Sequence, residues 1–108
     1  MTQPDLQKLL AELKSELQQL YGEQLVAVIL YGSYARREAG PHSDLDVAMV
    51  LRDYRSDFEE IDRTGEIAAR LSWEYDTTVA LIPLRESNWC HKQTSFYKNI
   101  QREGVAIP

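Results

Sequence analysis

Two apolar runs with polar signatures at their facing ends constrain this chain more than any other feature. LVAVILY (25–31) is continuous, rich in β-branched residues and stops at Gly32-Ser33; ten residues later DLDVAMVL (44–51) opens on Asp44-Leu45-Asp46. Short unbroken apolar runs of this kind predict strands covered on both faces. The Gly-Ser turn and the paired aspartates therefore belong to the ends of two neighbouring strands. At average residue frequencies these four residues would meet at this spacing by chance in roughly one such chain per thousand, so packing needs alone explain the pattern poorly.

Each position has a chemical reason. Side chains two apart on a strand point to the same face, so Asp44 and Asp46 are predicted to stand a few ångströms from each other. At ~4 Å their repulsion is about 1 kcal/mol in water and about 4 kcal/mol at an effective dielectric of 20, which calls for a cation or a proton. Hard oxygen ligands favour magnesium, which binds through one or two carboxylates plus phosphate oxygens. Gly32, lacking a Cβ, lets backbone N–H groups come close to a phosphate, and Ser33 adds a hydroxyl donor. A helical turn over residues 34–38 would aim its positive end at the same anion, with Arg36 to neutralise further phosphate charge. An anion site is thus predicted to face a cation site.

The rest of the chain supplies the frame. Leu6, Leu9, Leu10, Leu13, Leu17 and Leu20 recur at helical spacing, predicting a helix over 4–21 with Pro4 in its first turn and Gly22 at its end. A turn is expected at Gly40-Pro41. Ser56 and Glu59 resemble a capping box opening a helix of about 57–74, with Phe58, Ile61, Ala68, Leu71 and Tyr75 as its apolar face. TTVALIPL (77–84) predicts a third strand. One or two short helices follow, with Phe96, Tyr97 and Ile100 inward, then an extended tail. Trp73, Tyr75 and Trp89 are expected in core or half-core positions, and Cys90 as a partly buried thiol. The order predicts a small α/β or α+β layer, one domain over 1–108, with helices mainly on one side of the sheet.

Composition narrows the chemistry. A net charge of −5 with scattered Lys and Arg argues against nucleic-acid binding. One cysteine and two histidines provide neither an internal disulfide nor a structural zinc site. The N-terminus has no signal-peptide pattern and no apolar run approaches ~20 residues, so a cytoplasmic protein without a membrane span is expected.

YGSYARREAGPHSDLDVAMV resembles the Gly-Ser…Asp-x-Asp signature of the DNA polymerase β nucleotidyltransferase superfamily, chiefly its minimal nucleotidyltransferases, and FYKNIQREGVAI is similar to the end of those small proteins. The resemblance implies the polymerase β-like fold, magnesium on Asp44 and Asp46, and ATP seated by Gly32, Ser33 and Arg36. It further implies an antitoxin, paired with a HEPN-domain ribonuclease toxin in a hetero-oligomer and silencing it by moving AMP from ATP to a toxin tyrosine; a homodimer is also compatible. Two departures stand out. Arg37 replaces the glycine that usually ends the Gly-Ser-x-Ala-Arg-Gly loop. Ala80 stands in Val79-Ala80-Leu81-Ile82 where the superfamily commonly places a third carboxylate, leaving Asp76 as the nearest acid for a base role. Two alternatives follow: a weakened or inactive antitoxin acting by binding, and a small-molecule nucleotidyltransferase.

Overall fold

The computed structural model describes residues 2–40, 42–91 and 94–108. Helix α1 (Gln3–Tyr21) begins where Thr2 Oγ1 accepts from Asp5 N at 3.2 Å, with Pro4 in the first turn, and ends at Gly22, whose positive φ of 56° glycine adopts without strain. A 3-10 turn, Gly22–Gln24, leads into β1 (Leu25–Tyr31). Then come α2 (Gly32–Ala35), β2 (Leu45–Leu51), α3 (Asp57–Arg63), α4 (Gly65–Tyr75), β3 (Val79–Arg85), α5 (Glu86–His91), α6 (Ser95–Glu103) and β4 (Val105–Ala106). The four strands form one mixed sheet in the order β3-β2-β1-β4, with β1 antiparallel to β2 and β4 and with β2 parallel to β3. All three expected strands share this sheet; the tail adds the fourth.

One sheet face carries Val28, Leu30, Leu45, Val47, Met49, Val79 and Leu81, packed with Leu6, Leu9, Leu13 and Leu17 of α1 and Leu71 of α4. The other carries Ile29, Ala48, Val50 and Leu84 with Ile100 of α6, flanked by half-buried Trp89 and Tyr97. Helices therefore cover both faces, not mainly one.

Other expectations need correction. The helix predicted over 57–74 breaks at Thr64. The Thr64 hydroxyl, fully buried, donates to Glu60 O at 2.9 Å, and a new helix starts at Gly65. The break turns Phe58 and Ile61 outward, at 78% and 46% exposure. Trp73 is 88% exposed: lying two residues from both buried Leu71 and half-buried Tyr75, it sits about 200° round the helix from each. Cys90 is exposed near the end of α5. Ser56 does cap α3, accepting from Glu59 N at 3.1 Å. Pro41 lies outside the described residues, but Ser43 N donates to Gly40 O at 3.2 Å across the expected turn. No helix among the described residues is long and apolar enough to cross a membrane.

Candidate active site

The site lies at one end of the second face, where helix cover stops. Register fixes its centre: Tyr31 on β1, Asp46 on β2 and Ala80 on β3 are paired across the sheet in one row. Since facing pairs share a side of the sheet, and Ile29, Ala48 and Ile82 form the next row inward, the polar row continues an apolar one. Asp44, two residues before Asp46, stands just outside β2 and is exposed.

Chain direction reverses at the end of β1. Gly32 takes φ 75° and opens α2, two residues earlier than the expected helical turn. A Cβ at Gly32 would overlap Asp46 Oδ2 and lie 3.1 Å from Asp46 Cγ. Gly32 is thus required twice, for its positive φ and for the room Asp46 occupies. The first N–H groups of α2 have no carbonyl behind them within the helix, and Ser33 belongs to this first turn.

Gly32, Ser33, Asp44 and Asp46 line a single cleft of about 480 Å³, together with Tyr31, Arg36 and Ser43, while Phe96, Asn99, Ile100 and Glu103 of α6 form its far wall. The size is ordinary for a small-molecule site. Burial first, then the charge of Asp44, raises the Asp46 pKa, and Arg36 pulls it back. Burial, with the Asp46 charge behind it, pushes the Tyr31 phenol up to about 12, so the ring stays neutral. A carboxylate pair strained in this way fits a hard divalent cation whose remaining ligands are phosphate oxygens and water. Among the described residues no group of three or more His, Cys, Asp and Glu gathers to hold a metal unaided.

The other candidates fall differently. Arg36 reaches the cleft, but its guanidinium is held by Glu38 Oε2 at 3.1 Å and Glu103 Oε2 at 3.3 Å, tying α2 to α6. Asp76 closes α4 in the left-handed region (φ 51°) and lines a separate depression with His42, Ser43, Thr77 and Thr78. It is not beside Asp46. Ala80 is, so a carboxylate at position 80 would stand one strand spacing away, about 4.8 Å. The sequence does not announce the α6 wall, since Phe96, expected inward, is 46% exposed and lines the cleft instead.

Comparison with known proteins decides the family. The profile of the nucleotidyltransferase domain matches residues 10–107. The chain belongs to the nucleotidyltransferase family. The chain is 28% identical over 100 residues to MJ0141 of Methanocaldococcus jannaschii, provisionally named a protein adenylyltransferase, covering 93% of this chain and 96% of that one. A toxin–antitoxin crystal structure with AMP-PNP superposes with a TM-score of 0.63 at 20% identity, over 90% of this chain and 71% of that chain. A tri-AMPylated Shewanella oneidensis HEPN toxin in complex with an MNT antitoxin gives 0.59 at 22% identity, over 94% and 71%. The fold of this nucleotidyltransferase is accordingly that of the minimal, polymerase β-like members, and its activity class is nucleotidyl transfer.

Proposed function

We propose that this nucleotidyltransferase moves AMP from ATP, with magnesium, onto a tyrosine hydroxyl of a HEPN-domain ribonuclease toxin, and so acts as its antitoxin. The observation that carries this reading is the placement of Asp44 and Asp46 against Gly32-Ser33 across one cleft, with Asp46 filling the space a Cβ would take. Asp44 and Asp46 would hold the cation. Gly32 and Ser33 would seat the triphosphate, and Arg36, once drawn off Glu38 and Glu103, would meet its remaining charge. Magnesium held by these residues would supply screening of phosphate charge and make the α-phosphorus more electrophilic. The acceptor oxygen forms a bond to that phosphorus as the bond to the β-phosphate's bridging oxygen breaks, releasing pyrophosphate; the acceptor's proton passes to solvent in the open cleft. The relative's name and the two toxin–antitoxin structures support the acceptor and the partner.

Ala80 favours a second reading, in which the chain silences its partner by binding alone. Losing a positioned base costs about 10²–10⁴ in rate, yet nucleotidyl transfer rests largely on positioning and metal electrostatics, so catalysis survives that loss. Titrating the partner's ribonuclease activity separates the two. A catalyst suppresses it at substoichiometric amounts with ATP and magnesium present; a binder needs equimolar protein and ignores ATP. Equimolar, ATP-independent suppression would overturn the catalytic reading. Ala80→Asp should then raise label transfer if the absent carboxylate limits the rate.

A further inference from the structure

The cleft has a second wall that metal and triphosphate leave unused. Phe96, Asn99, Ile100 and Glu103 lie at i, i+3, i+4 and i+7, one face of α6 turned to the cleft. Ile100 is buried and anchors the helix to the sheet, and Glu103 is occupied by Arg36 and Arg102. Phe96 and Asn99 remain. The Phe96 ring is fixed by edge-on contacts with Tyr31 (centroids 6.3 Å, 86° between planes) and Tyr97 (5.6 Å, 84°), yet stays 46% exposed. An aromatic locked by two neighbours with area still open to a polar cleft is a stacking platform rather than a core residue. Asn99 Oδ1 accepts from Arg102 Nη2 at 2.9 Å. Arginine can only donate, so the Asn99 carbonyl faces it and the amide N–H groups are left for another partner.

We propose that α6 is the nucleoside wall of this site, with Phe96 stacking on the base and Asn99 donating to an acceptor on the base or ribose. The inference rests on the nucleotide reading above and adds a direction to it. With phosphates between Gly32-Ser33 and the aspartates, the nucleoside runs along α6, which keeps the open β3 side, beside Ala80, for the acceptor. Its specificity follows from the groups displayed. Stacking favours the larger purines over pyrimidines. The free Asn99 groups are donors, so this residue offers no acceptor to the 6-amino group of adenine, and ATP and GTP should bind within about tenfold of each other.

The test compares magnesium complexes of ATP, GTP, CTP, UTP and inorganic tripolyphosphate on wild type, Phe96→Ala, Phe96→Trp and Asn99→Ala, by calorimetry and by melting temperature. Wild type should prefer purines. Phe96→Ala should weaken all four nucleotides by about tenfold or more and compress the purine preference, while leaving tripolyphosphate unchanged. Phe96→Trp should restore affinity, and Asn99→Ala should give a smaller loss, again sparing tripolyphosphate. Unchanged ATP affinity in Phe96→Ala, with tripolyphosphate bound normally, overturns the nucleoside wall alone. Failure of wild type to bind tripolyphosphate and ATP alike overturns the nucleotide reading and this inference with it.

Discussion

The two faces of the sheet use the same three strands, β1, β2 and β3, for different ends. Under α1 and α4, Leu9, Leu13, Leu17, Leu45, Val47, Met49 and Leu71 are completely buried in one apolar cluster. On the opposite face Ile29, Ala48 and Val50 are covered by α6, but the next row, Tyr31, Asp46 and Ala80, is left half open. The first face maximises buried apolar area. The second gives some of it up and keeps a carboxylate whose charged form burial disfavours. The two faces therefore differ in what they put at risk: substitutions on the α1 face should alter folding and spare the site, while those at the open end should always alter the site, whatever they do to folding.

The largest stability effect expected is at Leu13. Leu13→Ala should cost about 2–5 kcal/mol in urea denaturation, while the folded fraction keeps its affinity for magnesium and ATP. Reduced affinity in fully folded protein would break the separation. Gly32→Ala comes next. Its φ of 75° suits glycine and its Cβ would collide with Asp46, so about 1–3 kcal/mol should be lost, together with the melting-temperature rise expected of wild type with magnesium and ATP.

Arg37→Gly works in the opposite sense. Arg37 takes φ 60°, a left-handed conformation that costs a side chain about 1–2 kcal/mol, partly offset by the freer unfolded glycine chain. A gain of up to about 1 kcal/mol is expected.

The smallest effect is at Asp46, measured with divalent cations chelated. Its folded pKa is raised above the ordinary 3.8, so the folded state binds this proton more tightly. That contribution is present below the unfolded pKa and is lost as pH rises through the folded one. Asp46→Asn should therefore be slightly more stable than wild type at neutral pH, with the advantage shrinking as pH falls through the folded pKa and no further change below the unfolded value of 3.8. An advantage that grows toward acid would contradict the assignment.

What the sequence revealed and what it hid follow the same division. The leucine stripe of α1 and the apolar runs of β1, β2 and β3 were legible because burial on a helix or strand imposes a period. Gly32, Ser33, Asp44 and Asp46 were legible because they interrupt such runs. Thr64 was not: its break depends on a buried hydroxyl bonding back to Glu60 and Ile61, and across it Phe58, Ile61, Ala68 and Leu71 still keep a helical spacing. Trp73 and Phe96 misled because an aromatic residue signals a large apolar surface, not which way it faces. The pairing of Ala80 with Asp46, and the displacement of Asp76 into a neighbouring depression, depend on strand register, which no local pattern sets.

The central claim is that Asp44, Asp46, Gly32 and Ser33 form one nucleotidyl-transfer site. Its most direct test is incorporation of labelled AMP from ATP into the proposed HEPN-domain partner, with wild type and Asp44→Asn compared at equal binding to that protein. The account predicts label on the partner with wild type and magnesium, none with Asp44→Asn, and unchanged complex formation. Equal labelling by Asp44→Asn, or no labelling by wild type while it still silences the partner, would contradict it.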